Sequence, residues 1–446
     1  MRTVVMGAGR SGLAAAHFLA RQQTFVVLTD ARPEPGPALE TELAKAGIPG
    51  VWGSHPLALL EDCEQVVVSP GIPRTVPFIA EALARGIPVI GEVELAHRLI
   101  RARQDGARVL AVTGTNGKST TTDLTAHLLR ASGLPAVACG NLGTPMLEAV
   151  QGASAGTVFV VELSSYQLES IQEFHAEGAA FLNLTPDHLA RHGTMATYLQ
   201  TKLQIFDRQT PDDLRVVPAG HPEWWQGAPG AGRIARFGWS ECEAWCDDSG
   251  ALRLHGEALL HRNELLIPGD HNVENALAAS LLAQHGGASI AGLRAGLRNY
   301  PGLAHRLAFC GEKAGVRAYN DSKGTNVDAT LTAIRALAGP LVVLLGGTDK
   351  GTTYEPLRAA LVGKLRRLVF LGEAIPALTR DLGDLPHVVV PAFDEAVRTA
   401  LALAQTGDQV LLSPACASFD QFDNFEQRGE RFETLVRQWT GAAGPV

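Results

Sequence analysis

The sequence predicts an α/β protein of three domains, at 1–96, 97–301 and 302–446, the outer two Rossmann-like and the middle one resembling a P-loop ATPase. Three observations predict it. Short apolar, β-branched runs alternate with helical stretches along the chain, as in parallel sheets covered on both faces. Two of those runs break into glycine-rich turns that open helices, Gly7-Ala-Gly-Arg-Ser-Gly12 and Gly114-Thr-Asn-Gly-Lys-Ser119. Polar residues collect at the C-terminal ends of the runs, where open α/β sheets bind ligands.

The bulk composition is that of an ordinary globular protein. Its 446 residues are 46% hydrophobic and 19% charged, and 47 glycines with 25 prolines suit many tight βα turns. A net charge of −8 argues against a nucleic-acid-binding surface, and no basic run provides a local exception. Nothing approaches the roughly eighteen consecutive apolar residues of a membrane span. The N-terminal strand is too short and glycine-broken for a signal peptide, so a cytoplasmic protein with reduced thiols is expected. Cys63, Cys139, Cys242, Cys246, Cys310 and Cys416 form no CxxC pair and lack histidines at zinc-finger spacing.

In the first domain Thr3–Met6 reads as a strand, Leu13–Arg21 as a helix and Phe25–Leu28 as a second strand ending at Asp30. GxGxxG after a strand, with an acid about twenty residues on, is the dinucleotide fingerprint. Its glycines and helix N-terminus recognise a pyrophosphate, whatever the rest of the ligand, so it marks a phosphate seat. Strands over Gln65–Val68 and Pro88–Ile90 follow, and Glu94–Arg103 reads as a helix leading onward.

The second domain carries Val109-Leu-Ala-Val-Thr-Gly-Thr-Asn-Gly-Lys-Ser-Thr-Thr-Thr122, a strand, a glycine loop and a helix start. The N–H groups of Gly114, Thr115, Asn116, Gly117 and Lys118 are expected to point at an anion, aided by the helix N-terminus. Lys118 can reach terminal phosphates, and Ser119 or Thr120 can offer a hydroxyl to Mg²⁺. Val112 stands where the full P-loop pattern has its first glycine, and an ordinary polar turn is the competing reading. The strand Thr157–Glu162 ends in a carboxylate suited to Mg²⁺. Ala179–Leu184 then leads to Asp187-His188, where an isolated histidine is as often structural as a ligand. Spacing alone makes Lys202, on a helix through Tyr198, a solvated surface lysine. Residues 210–263 suggest short strands and hairpins, with Trp224, Trp225, Trp239 and Trp245 as packing groups. Asn272 and Asn275 fall near a helix start, where capping accounts for one of them but hardly both.

The third domain opens with Leu303-Ala-His-Arg306 and a strand over Arg317–Asn320, followed by Asp321-Ser-Lys-Gly-Thr-Asn326. Further strands are Leu341–Leu345, Leu368–Leu371 and Gln409–Leu412, the first running into Gly346-Gly-Thr-Asp-Lys350.

Taken together, GTNGKST, ELSSYQLE, TPDHLARHG, YLQTK, GDHNVENALAA, AHR, NDSKGTN, LLGGTDKG and SPACASFDQFDNFEQRG resemble the Mur ligases of peptidoglycan synthesis, in order and along nearly the whole chain. GTNGKST alone would also fit folylpolyglutamate synthases. The GAGRSG unit with SPGI, and the C-terminal motif, resemble the D-glutamate-adding branch. The resemblance implies an ATP-dependent amide synthesis on UDP-N-acetylmuramoyl-L-alanine by a monomer. It implies that Lys118 and its loop hold the ATP phosphates, with Ser119 and Glu162 around one Mg²⁺ and His188 at a second, bridged by a CO₂-derived carbamate on Lys202. A neutral lysine that captures CO₂ becomes an anionic oxygen donor in place of a metal-repelling cation. By the same resemblance Asn275, Arg306, Asp321 and Lys323 contact ATP. Gly9, Arg10, Ser11, Gly12, Asp30, Arg32, Ser69, Gly71 and Asn141 contact the UDP substrate, and Thr325, Lys350, Ser418 and Phe425 contact D-glutamate. Ala190 departs from the pattern, since relatives often carry aspartate there, and Arg10-Ser11 also varies.

The implied chemistry runs from carboxylate to acyl phosphate, then through a tetrahedral intermediate to the amide. Bringing a carboxylate to a triphosphate costs about 4 kcal/mol per unit pair at 4 Å and an effective dielectric of 20, which Mg²⁺ and Lys118 would offset. Domain closure before chemistry would keep water off the acyl phosphate. His188 and a metal-bound oxygen both remain open as the base for the D-glutamate ammonium. Three other readings stand beside this one: another amino-acid ligase of the same family, an NAD(P)-dependent dehydrogenase on GAGRSG, and a non-catalytic nucleotide-binding protein. The dehydrogenase leaves Lys118, Glu162 and Lys202 without a task.

Overall fold

Strands form where consecutive side chains can fill both faces of a sheet, and the runs Val4-Val5-Met6, Val109–Val112, Val158–Val161 and Leu341–Leu345 are buried almost completely. The computed structural model describes residues 2–349 and 351–441. Among them are three sheets.

The first sheet holds β1 (Arg2–Met6), β2 (Phe25–Asp30), β3 (Gly50–Trp52), β4 (Cys63–Val68) and β5 (Val89–Ile90) in the order β3-β2-β1-β4-β5, all parallel. Strand order reverses between β1 and β4, so the turns after these two strands flank the crevice where such sheets bind ligands. The helix after β1 spans Arg10–Arg21, three residues earlier than apolar spacing predicts. That spacing marks only the buried face, and the first turn, Arg10-Ser11, precedes it.

The second sheet comprises β6 (Arg108–Thr113), β7 (Ala136–Gly140), β8 (Val158–Glu162), β9 (Gly178–Phe181), β10 (Leu214–Pro218), β11 (Arg233–Gly238), β12 (Ala244–Cys246), β13 (Ala251–Leu254) and β14 (Glu257–His261). Their order is β14-β13-β12-β11-β10-β9-β6-β8-β7, parallel from β7 to β12 and antiparallel across the last two pairs. Residues 210–263 therefore supply short strands and hairpins, as expected. Trp224 stands edge-on to Phe181 with ring centroids 6.4 Å apart, and the Trp225 indole N–H donates to the Pro218 carbonyl at 2.8 Å. Trp239 is exposed, with its indole N–H donating to Glu274.

The third sheet has β15 (Ala308–Lys313), β16 (Val316–Asn320), β17 (Leu341–Gly346), β18 (Leu365–Leu371), β19 (His387–Val389) and β20 (Gln409–Leu412) in the order β15-β16-β20-β17-β18-β19. Only β15 is antiparallel to its neighbour. The chain packs as two compact units. Met1–Glu264 with Val273–Asn299 contains the first two sheets, and Leu265–Asn272 with Tyr300–Val446 contains the third. No helix among the described residues is long and apolar enough to cross a membrane.

Candidate active site

The phosphate loop leaves the middle of the second sheet, because β6 lies between β8 and β9. Gly114 has φ +150° and Gly117 φ +81°, conformations that disfavour any side chain. A Cβ on Gly117 would also lie 2.3 Å from Asn275 Oδ1. The helix Lys118–Ala131 begins directly after it, with Ser119 buried in its first turn and Thr120 half-buried. The Lys118 ammonium folds back to donate to the Thr115 carbonyl at 2.7 Å.

Two of the loop amides do not face an anion as the sequence suggests. The Thr115 N–H is directed at the Asn183 carbonyl and Oδ1, and the Asn116 N–H donates to Asn183 Oδ1 at 2.8 Å. The reason is tertiary: β9 pairs with β6, so the residues after both strands leave the sheet side by side.

Register places Glu162, the last residue of β8, opposite Val112. Its carboxylate is buried. Oε1 accepts from the Asn141 amide at 2.7 Å, while Oε2 has no hydrogen-bond partner. A buried, half-satisfied carboxylate beside a phosphate loop fits a cation, since such an oxygen is otherwise costly. No three His, Cys, Asp or Glu side chains converge into a metal cluster among the described residues. A single buried carboxylate with an unpartnered oxygen suits Mg²⁺, which takes one or two carboxylates plus substrate phosphates.

Lys202 corrects the reading from spacing. It is 1% exposed, not solvated, and its ammonium position lies 2.6 Å from the Gly114 carbonyl and 4.4 Å above the Tyr198 ring. Burial, and then the neighbouring Lys118, push its pKa down to about 6. Burial beside a second lysine thus favours the uncharged amine, the form that captures CO₂. His188 has φ +52° and is exposed, 3.4 Å from Asp187, with its ring 4.9 Å from Tyr166 and 6.5 Å from Tyr198. The Asp187 carboxylate sits beside this histidine, whereas Ala190 offers no carboxylate. Arg191 binds Glu169 at 2.6 Å and the Ile72 carbonyl at 3.1 Å, tying this segment to the turn after β4.

Neither asparagine of the 270s is an N-cap, because the helix Asp270–His285 already includes both. Asn272 donates to the Pro268 carbonyl, and Asn275 accepts from the Thr121 hydroxyl at 3.2 Å, against the phosphate loop.

At the first sheet's crevice, Gly7 has φ +94° and the Ser69 hydroxyl donates to its carbonyl at 3.2 Å. Gly12 is packed so closely that a Cβ would meet the Gly7 carbonyl oxygen at 1.8 Å, whereas Gly9 and Gly71 have open space. Arg10 is exposed and Ser11 half-buried. Asp30 accepts from the Ala8 N–H at 2.6 Å and from the Arg32 N–H and Nε–H at 2.9 and 3.1 Å. Burial would raise its pKa, but these donors hold it below the usual carboxylate range.

In the second unit the residues after β16 and β20 come together. Burial pushes the Asp321 carboxyl up to about 7, despite hydrogen bonds from the Ser413 hydroxyl at 2.6 Å and the Leu307 N–H at 3.2 Å. The Lys323 ammonium lies 5.3 Å from the Phe425 ring, at the start of the helix Phe425–Thr440. The Lys323 N–H donates to the His305 carbonyl, next to Arg306, and the Thr325 N–H to the Lys323 carbonyl. Ser418 is buried, and its carbonyl accepts from the Gln421 and Phe422 N–H groups. Lys350 lies outside the described residues.

Two residues escaped sequence reasoning. Asn183 follows an apolar strand directly, and recognising that strand as a neighbour of β6 would have singled it out. Arg428 is 1% exposed and donates to the Ser322 hydroxyl and to the carbonyls of Ser322, Cys416 and Ala417. Its helical spacing with Phe425, Phe432 and Leu435 puts it on the buried face, which was the available signal.

Family models match in three segments: the "Mur ligase MurD-like, N-terminal domain" over residues 1–91, the "Mur ligase middle domain" over 112–283 and the "Mur ligase, glutamate ligase domain" over 305–416. The UDP-N-acetylmuramoylalanine–D-glutamate ligase of Pelotomaculum thermopropionicum is 40% identical, the alignment covering 98% of this chain and 97% of that one. The chain belongs to the Mur ligase family. The Myxococcus xanthus ligase of the same name is 41% identical, with 98% of each chain covered. Among solved Mur ligases, the UDP-N-acetylmuramate–alanine ligase of Thermotoga maritima shares the fold with a TM-score of 0.61, at 19% identity, over 98% of this chain and 100% of that one. The Thermotoga maritima MurF ligase, solved with ADP, also gives 0.61, at 15% identity, over 93% and 95%.

Proposed function

We propose that this Mur ligase joins D-glutamate to UDP-N-acetylmuramoyl-L-alanine, with ATP converted to ADP and phosphate, as a cytoplasmic monomer in peptidoglycan precursor synthesis. Full-length identity near 40% to ligases of that name supports the substrate assignment. The observation that carries the chemistry is Lys202, a lysine buried with its terminal nitrogen 2.6 Å from the Gly114 carbonyl of the phosphate loop, where burial disfavours its charged form.

In this reading residues 1–96 bind the UDP substrate, 97–301 carry the phosphate loop, and 302–446 supply D-glutamate contacts and further ATP contacts. Gly9, Arg10, Ser11, Gly12, Ser69 and Gly71 hold the diphosphate part. Asp30 and Arg32 brace that turn near the uridine, and Asn141 orients Glu162 while facing the muramoyl group. Lys118 swings from the Thr115 carbonyl to the terminal phosphates, where it draws charge off the transferring phosphoryl group. Asn275, Arg306, Asp321 and Lys323 position the nucleotide. Thr325, Lys350, Ser418 and Phe425 position the D-glutamate amine for attack on the acyl carbon, with phosphate leaving.

Two Mg²⁺ ions, when bound, would neutralise the phosphate oxygens, one held by Ser119 and Glu162 and the other by His188 and a carbamate on Lys202. The unpartnered Glu162 Oε2 and the buried Lys202 amine against the loop are the fitting features. The test is ADP release from ATP with UDP-N-acetylmuramoyl-L-alanine. It should require D-glutamate and not respond to L-alanine or meso-diaminopimelate; release with one of those instead assigns a different Mur ligase activity.

A further inference from the structure

We propose that Asn183 is a positioning residue that preforms the phosphate loop and fixes it to the segment carrying His188. This rests on the reading of residues 114–119 as the ATP phosphate site. The Asn183 carboxamide faces the loop with both ends. Oδ1 accepts from the Thr115 N–H at 3.2 Å and the Asn116 N–H at 2.8 Å, and Nδ2 donates to the Asn116 carbonyl at 3.0 Å. Its own carbonyl accepts from the Thr115 N–H at 3.0 Å.

Thr185 extends the connection: its N–H donates to Thr115 Oγ1 at 3.1 Å, and that hydroxyl lies 3.3 Å from the Thr185 carbonyl. A side chain on Gly114 would crowd Leu182 Cβ at 3.0 Å and the Asn183 nitrogen at 3.3 Å, so the two segments are in direct contact.

A four-residue loop with two glycines has much backbone freedom to lose. Phosphate binding would have to supply that ordering unless the loop is already held. Asn183 holds it without a ligand, and it directs the outer amides away from the phosphates, leaving recognition to the helix start from Gly117 and to Lys118. Asparagine suits the position. An aspartate could accept from both amides, but it could not donate to the Asn116 carbonyl and would set a negative charge beside the triphosphate. The chain runs only from 183 to 188 before reaching the histidine, so the same contacts set the spacing between phosphate loop and His188.

The test compares wild type with Asn183→Ala and the isosteric Asn183→Asp in the full-length protein. Without nucleotide, Asn183→Ala should speed hydrogen exchange of the Asn116 amide, which only the side chain holds, at least about tenfold, while the Thr115 amide keeps its bond to the residue 183 carbonyl. Both variants should raise the KM for ATP at least about tenfold, leaving the KM for the UDP substrate and for D-glutamate within about twofold. Asn183→Asp leaves no cavity, and it carries the test if the alanine variant does not fold. A general loss of stability that moves all three KM values together would overturn the positioning role. So would an unchanged KM for ATP in folded variants. If Lys118→Ala likewise leaves nucleotide binding unchanged, the phosphate-loop reading itself has failed.

Discussion

The two glycine turns of the first compact unit look alike in sequence, yet they are finished with different charge. After β1 the turn closes on a carboxylate, Asp30, which takes the Ala8 N–H. After β6 it closes on a neutral carboxamide, Asn183, and two lysine side chains lie against the loop carbonyls of Gly114 and Thr115. In the proposed reading the first arrangement braces a seat for a diphosphate that is only held, and the second places two amines where phosphoryl charge would change during reaction. Glycine spacing alone does not separate the two turns, and the side chains folded onto them do.

The largest effect that sharpens this contrast is Lys118→Ala. ADP release should fall by on the order of 10²–10³-fold, with UDP-substrate binding and the melting temperature near wild type. Equal weakening of UDP-substrate binding would break the distinction between the turns.

Lys202→Ala comes next, with a loss of about 10²-fold that a short carboxylic acid partly restores, as expected if a carbamate oxygen is what is missing. Lys202 also makes a pH prediction. Its folded pKa is depressed to about 6 from 10.5, so between those values the unfolded chain binds a proton that the native chain does not. Its cost to stability is fully present below about pH 6 and is relieved as pH rises toward 10.5. The stability gained in Lys202→Met should therefore shrink from pH 7 to pH 10 in thermal melts.

In the first turn, Gly12→Ala should cost more than about 2 kcal/mol of stability through its clash with the Gly7 carbonyl, and raise the KM for the UDP substrate. The KM for ATP should hold in any folded fraction.

The smallest effect is Asp30→Asn, about 1 kcal/mol at pH 7. Asp30 has a lowered folded pKa, so its contribution is present above the unfolded value of 3.8 and is lost as pH falls through the folded one. Wild type and variant should converge in melts as pH falls well below 3.8.

The parallel sheets and both turns were legible because they rest on local signals: apolar runs, glycines and the residues at strand ends. Glu162 could be read as a strand-end carboxylate, although not that one of its oxygens would lie buried without a partner. Lys202 could not be read from spacing, because a lysine on a helix is exposed unless another element covers it, and here the phosphate loop does. Asn183 was obscured for the same reason, because its partners Thr115 and Asn116 lie in a loop distant in sequence that no window around it contains. Arg428 was marked as buried by its helical spacing, but its Ser322 partner lies as far away and could not be read. Resemblance to a known family supplied the proposed role of Lys202, and its burial against the phosphate loop is what makes that role physically sensible.

The most direct test of the contrast is a crystal structure of the protein with ADP and UDP-N-acetylmuramoyl-L-alanine bound together. The ADP phosphates should lie against residues 117–119 and the uridine diphosphate against residues 9–12. Adenine nucleotide phosphates at the Gly7–Gly12 turn, or the uridine diphosphate at the phosphate loop, would contradict the account.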